Sequence, residues 1–102
     1  MPEIEKLDKI ALEGGKIDEV YNLRWHIHYL RNNLDDALRD LNLAIDINPE
    51  SRNVLYNRGC LYHRMGELTE ALSDFKFAVI IAEREGDEDL VDAVEQLVAV
   101  FA

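Results

Sequence analysis

Residues 58–78 read RGCLYHRMGELTEALSDFKFA, and residues 24–44 read RWHIHYLRNNLDDALRDLNLA. The two stretches are 34 residues apart and share the same residue at several positions. The shared positions are Arg24 and Arg58, Leu34 and Leu68, Ala37 and Ala71, Leu38 and Leu72, Asp40 and Asp74, and Ala44 and Ala78. A period of this length is typical of stacked supersecondary units. The sequence therefore predicts a binding scaffold built from repeats rather than an enzyme.

The composition fits one globular domain that does not cross a membrane. The chain has 102 residues, of which 48 % are apolar and 31 % are charged, as in ordinary soluble domains. No apolar run reaches the ~18 residues of a membrane-spanning helix. The acidic start lacks the pattern of an export signal, and the single cysteine cannot form an internal disulfide. These features predict a cytoplasmic protein.

The charge of the chain excludes two classes of partner. The net charge is −10, and the 11 Lys and Arg residues are scattered along the sequence. Binding to nucleic acid or to an anionic membrane requires a basic face, so we expect neither. The acidity either keeps the protein soluble or selects a basic partner, and the sequence favours the first reading.

Apolar residues recur at helical spacing along nearly the whole chain and predict about six helices. The breaks between them are Gly14-Gly15, Asn32-Asn33, Asn48-Pro49, Gly66 and Glu85-Gly86-Asp87. Asn32 and Gly66 correspond under the 34-residue shift, and both residue types tolerate a left-handed turn. Pro49 is expected to begin the helix that follows it, because a missing N–H costs nothing there.

The second copy carries the residues of a known family. Gly59, Tyr62, Ala71, Phe75 and Ala78 resemble the tetratricopeptide repeat pattern. The resemblance implies an all-α superhelix of antiparallel helix hairpins, arranged as a single domain over residues 1–102. Its expected parts are a leading helix at 1–15, repeat one at 18–51, repeat two at 52–85 and a closing cap helix at 87–102.

Two departures from the family pattern concern packing. Trp25 stands where the second copy has Gly59, so we expect the indole to widen or re-angle the first helix pair. Glu83 stands where the first copy has Pro49, and the closing helix is therefore expected to slip by one residue relative to a regular array.

The same shift pairs Arg24 with Arg58 and Asp40 with Asp74, and each Arg precedes its Asp by 16 residues. That separation spans one helix hairpin. We therefore predict an Arg24–Asp40 and an Arg58–Asp74 contact between paired helices, with the bidentate geometry that fixes orientation well.

No motif for catalysis or cofactor binding is present in the sequence. Cys60 and His63 share one helix face, and His26 corresponds to Cys60 under the shift, so a zinc site is conceivable. Residues lining a groove are the preferred reading, and we predict no metal. His28 corresponds to Tyr62 and is expected to fill the core with one nitrogen satisfied.

In proteins that this chain resembles, the inner helix of each pair lines a concave groove for a peptide or partner segment. Carried onto this sequence, the predicted partner-binding residues are Glu19, Asn22, His26, Tyr29, Asn53, Tyr56, Asn57, Cys60, His63 and Arg64. One subgroup grips the carboxylate tails of chaperones. Here Asn22, His26, Asp87 and Val91 depart from that subgroup's clamp, which argues against this ligand.

The sequence supports two functions. The preferred one is an adaptor that binds a protein or peptide partner in the groove. The alternative is a structural module that forms homo-oligomers without a peptide ligand, because apolar residues on the last two helices extend beyond one stripe. The residues predicted to contact a second chain are Phe77, Ile80, Ile81, Val100 and Phe101.

Overall fold

The computed structural model describes the backbone of residues 17–101 and the side chains of residues 20–100. Its helices are α1 (Ile17–Leu30), α2 (Leu34–Ile47), α3 (Arg52–Arg64), α4 (Leu68–Glu85) and α5 (Glu88–Phe101). Between residues 17 and 101 there is no β-strand. The predicted all-α class is confirmed, and the predicted leading helix at 1–15 lies outside the described residues.

The helices belong to two compact units, residues 1–49 and residues 50–102. In the first unit α1 packs against α2. In the second unit α4 packs against both α3 and α5. Each predicted repeat is therefore a pair of packed consecutive helices, and α5 is the predicted cap of the second pair. The arrangement of residues 1–102 as a single domain stays a prediction.

Three of the helices end in the same way. Asn32, Gly66 and Gly86 have φ angles of 61°, 82° and 76°, in the left-handed region. After each of them the next N–H donates to a carbonyl five residues back: Asn33 to His28 at 2.8 Å, Glu67 to Tyr62 at 2.9 Å and Asp87 to Ala82 at 2.8 Å. This Schellman pattern satisfies carbonyls that a helix end leaves without partners. The turn chemistry predicted for Asn32 and Gly66 is thus confirmed.

The start of α3 differs from the prediction. Pro49 and Glu50 form a turn, and α3 begins at Arg52. Ser51 is its N-cap, since the Ser51 hydroxyl accepts a hydrogen bond from the Val54 N–H at 3.4 Å. The expectation that Pro49 starts the helix is wrong, because the serine two residues later supplies the acceptor that an N-terminal turn needs.

The two hairpins place their large side chains on opposite helices. A Cβ added to Gly59 would lie 2.6 Å from Phe75 Cε1, so the ring of α4 occupies the space above α3. At the corresponding positions, hairpin α1–α2 has Trp25 and Leu41, which are 8 % and 0 % exposed. Both solutions fill the core, one with an aromatic ring from the second helix and one with an indole from the first.

Candidate functional site

The second unit has a half-buried apolar surface that draws on three helices. Ala71, Phe75 and Val94 form a buried cluster between α4 and α5. Partly buried apolar side chains of α3 and α5 pack on this cluster. We call four of them the floor: Tyr56 and Cys60 of α3, and Leu97 and Val98 of α5.

Tyr56 and Cys60 behave as a neutral, apolar part of the floor. The Tyr56 ring packs on Phe75 with 5.9 Å between ring centroids. Burial raises the pKa of the Cys60 thiol, and a hydrogen bond with Tyr56 opposes that shift. Burial also raises the pKa of the Tyr56 hydroxyl. Because the thiolate is disfavoured, Cys60 contributes a small protonated side chain rather than a nucleophile.

Polar side chains of α3 border the floor. Asn53, His63 and Arg64 are exposed, and Asn57 is half-buried. Asn53 precedes Tyr56 by three residues and Arg64 follows Cys60 by four, so each shares a helix face with a floor residue. All six residues predicted on this helix therefore lie at or beside the floor.

The predicted residues of the first copy lie on α1. His26 is exposed, whereas Asn22 and Tyr29 are half-buried. The His26 and Tyr29 rings stack with 6.3 Å between centroids, and Trp25 lies 5.5 Å from each of them. The helix also includes Glu19, whose side chain lies outside the described residues.

Both predicted Arg–Asp contacts are confirmed. Arg24 donates to the two Asp40 oxygens at 2.9 and 2.7 Å. Arg58 does the same to Asp74 at 2.7 and 2.8 Å. The Arg58 guanidinium also lies 5.6 Å from the Tyr62 ring centroid. These buried carboxylates fix the register of each hairpin and belong to the scaffold rather than to a binding surface.

His28 joins the first of these pairs. Its Nε2 is 3.6 Å from Asp40 Oδ2. Its Nδ1 is buried and has no hydrogen-bond partner in the described part of the chain. The side chain is 14 % exposed, so the ring lies in the core as expected. The expected hydrogen bond to one ring nitrogen is not formed with Asp40, because Arg24 already donates to both Asp40 oxygens.

An ion pair between α3 and the start of α5 was not predicted. Arg52 donates to Asp87 at 2.7 Å and to Glu85 at 3.0 Å. Asp87 also accepts from the Leu90 N–H at 3.1 Å, so it caps α5. An acidic residue three positions before Leu90 is the sequence signal for the cap. The partner Arg52 could not be found this way, since it lies 35 residues away.

Comparisons with known proteins show which repeat family this architecture resembles. Residues 26–66 match the family model described as TPR repeat. Residues 26–66 carry the tetratricopeptide repeat pattern. Repeats of this family typically form non-enzymatic scaffolds that mediate contacts between proteins.

Solved structures share the fold of this repeat protein. The solution structure of protein BPP2914 from Bordetella parapertussis is 18 % identical, with a TM-score of 0.79 over 94 % of this chain and 84 % of that chain. The crystal structure of MamA is 20 % identical, with a TM-score of 0.66 over 89 % of this chain and 61 % of that chain. These likenesses show the fold alone. The sequences of curated proteins give no significant match.

The surface predicted to contact a second molecule of the repeat protein in a homo-oligomer is only partly accessible. Phe77, Ile80 and Val100 are 46 %, 52 % and 75 % exposed. Ile81 is 1 % exposed, so its prediction as a contact is wrong: the side chain is already buried within the monomer. The side chain of Phe101 lies outside the described residues.

Two further properties bear on what this repeat protein binds. Within residues 20–100, no group of three or more His, Cys, Asp or Glu side chains is placed to hold a metal ion. None of the helices described is long and apolar enough to cross a membrane. At the position of the chaperone-tail clamp, Asp87 is engaged with Arg52 and the α5 backbone, which is a structural role.

Proposed function

We propose that this chain is a protein–protein interaction adaptor that binds a segment of a partner protein on the floor of the second unit. One observation carries the proposal: Tyr56, Cys60, Leu97 and Val98 are half-buried on one core cluster and remain partly open to solvent. Exposed apolar surface with a polar rim is typical of interaction sites. The single cysteine supports a cytoplasmic location for such an adaptor.

The rim suits a peptide ligand. Asn53 and Asn57 carry amides that both donate and accept hydrogen bonds, as a peptide backbone requires. Tyr56 offers a rigid aromatic surface at low entropic cost. Arg64 and His63 add cationic or polar contacts at the end of α3. Solenoid proteins bind partners through extended concave surfaces.

The proposal extends to the first copy. We infer that Glu19, Asn22, His26 and Tyr29 of α1 form a partner-binding surface of the first unit. The exposed His26 and its stacking on Tyr29 support this assignment, since adjacent aromatic rings on one helix offer a contact surface of low conformational entropy.

The experiment is affinity capture from native cell extract, with the captured protein then purified and retested. Arg64→Ala removes a rim cation, and we expect it to weaken binding several-fold while leaving the unfolding free energy unchanged. The matched control is Arg84→Ala, another exposed Arg of the same unit that contacts Glu50. Equal capture by Arg64→Ala, Tyr56→Ala and wild type would exclude the floor as the binding site.

A second function has a specific observation in its favour. Phe77 and Ile80 are three residues apart on α4 and about half exposed, so they share one face of the helix and expose adjacent apolar surface. They support the homo-oligomerisation module as the alternative. Light scattering at increasing concentration tests it: a dimer that Ile80→Lys converts to a monomer supports the module, and a strict monomer excludes it.

A further inference from the structure

The two helices that supply the floor carry opposite charge. Helix α3 contains Arg52, Arg58 and Arg64 and no acidic residue, in a chain where 21 residues are Asp or Glu. Helix α5 contains no Lys or Arg. Its four acidic residues are Glu88, Asp89, Asp92 and Glu95.

The opposite charges of α3 and α5 are also found beside the floor. On α3, Arg52 and Arg58 form ion pairs with Asp87 and Asp74. The exposed Arg64 lies one helical turn after Cys60, so it borders the floor. On α5, the exposed Glu95 lies three residues before Val98. Glu95 therefore borders the α5 side of the floor, and α5 has no basic residue that would offset its charge.

We propose, building on the adaptor function, that the floor binds an amphipathic helix whose two flanks carry opposite charge. The apolar stripe of the ligand covers Tyr56, Cys60, Leu97 and Val98. Its acidic flank faces α3 and its basic flank faces α5. The charge complementarity with the two helices selects this ligand.

The geometry explains why both flanks matter. A helix that lies between two others presents one apolar stripe downward and one flank to each neighbour. A wholly acidic ligand places carboxylates beside Glu95 on one side. A wholly basic ligand gains from α5 but places cations beside Arg64 on the other. Only the mixed ligand avoids like-charge contact on both sides, and exchanging its flanks reverses its direction on the floor instead of abolishing binding.

The test uses three synthetic peptides of about five helical turns, with blocked ends and the same leucine stripe. One carries Glu on one flank and Lys on the other, one carries Glu on both, and one carries Lys on both. Fluorescence anisotropy with the full chain is measured at physiological ionic strength, where a Debye length of about 8 Å suppresses the attraction of the whole acidic chain for cations. We expect the mixed peptide to bind about fivefold tighter than either of the others.

Variants separate the inference from the function on which it rests. Arg64→Glu should move the preference to the peptide with Lys on both flanks, and the control Arg84→Glu should not. Equal binding of all three peptides that is lost in Tyr56→Ala overturns the charge inference and leaves the floor as the binding site. Tighter binding of the all-Lys peptide to wild type also overturns it. Failure of all three to bind, or binding that Tyr56→Ala leaves intact, rejects the inference together with the floor.

Discussion

Hairpins α1–α2 and α3–α4 each contain an equivalent Arg–Asp ion pair, but they pack their cores differently. In each hairpin an Arg reaches both oxygens of an Asp 16 residues later, at 2.7 to 2.9 Å. Around that pair, one hairpin buries Trp25 and Leu41, and the other fits Phe75 over Gly59. The Arg–Asp contact thus keeps the same register in both hairpins. The large aromatic side chain lies on the first helix of one hairpin and on the second helix of the other.

The comparison separates two tasks within one repeat. The bidentate pair fixes how the helices align, because its geometry tolerates little displacement. The apolar residues only have to fill the space at normal density, and a large side chain from either helix does so. The second hairpin has the small Gly59 on α3 and takes its large ring, Phe75, from α4. Five predictions would break or sharpen this comparison.

The largest effect is expected for Trp25→Ala. The indole is 8 % exposed, and its removal leaves a cavity that the rest of hairpin α1–α2 cannot fill. A loss of about 3–5 kcal/mol in the free energy of unfolding is expected. Urea unfolding followed by circular dichroism measures it. A loss below about 1 kcal/mol would show that Trp25 does not replace the Phe75 ring as a core element.

The next effect concerns the shared ion pair. Asp40→Asn removes the carboxylate to which Arg24, only 18 % exposed in its side chain, donates two hydrogen bonds. We expect a loss of about 2–4 kcal/mol, less than for a fully buried pair. Asp74→Asn should cost less, since Arg58 and Asp74 are 22 % and 8 % exposed. Thermal unfolding of both variants gives the order, and an equal cost would contradict the comparison.

Gly59→Ala comes third. The new Cβ would lie 2.6 Å from Phe75 Cε1, and overpacking of this kind costs about 1–3 kcal/mol. Phe75→Leu installs the smaller residue that hairpin α1–α2 has at Leu41. We expect the double variant to be more stable than the sum of the two single losses predicts. Strict additivity in a double-mutant cycle would argue against the large-for-small exchange.

The two equivalent turns give a smaller, reciprocal effect. Asn32 and Gly66 both have positive φ, where glycine is unstrained. Asn32→Gly should therefore gain a few tenths of a kcal/mol, and Gly66→Ala should lose about 1–2 kcal/mol despite the open space around it. Chemical denaturation measures both. A neutral Gly66→Ala would show that the turn relaxes to another conformation.

Much of this structure could be predicted from the 34-residue period of the sequence. Residues at one offset predicted the helices, the left-handed turns and both Arg–Asp pairs, because each depends on local spacing or on one hairpin. Features outside the period were harder to predict. The Ser51 cap shows this, since Pro49 two residues earlier carries an equally plausible start signal.

The site shows the same limit. Asn53, Tyr56, Cys60 and Arg64 could be predicted from their place on an inner helix. Their neighbours Leu97 and Val98 were assigned only to the cap, because the period ends before α5 and no copy shows what its faces contact. Ile81 failed for a related reason: an apolar run on α4 does not reveal which residue the core has already buried.

The smallest expected effect concerns the contact between Arg52 of α3 and Asp87 at the start of α5. This effect depends on pH. Hydrogen bonds from Arg52 and from the Leu90 N–H lower the pKa of Asp87 below its ordinary value of 3.8. The stabilisation from this carboxylate is therefore complete above that value and is lost as the pH falls through the lower folded-state pKa. We expect the Leu90 amide resonance to shift in acid as the cap opens. Arg52→Gln removes the largest cause of the lowered pKa, so the transition should move to higher pH. An unchanged midpoint in Arg52→Gln would show that the α5 cap does not depend on α3.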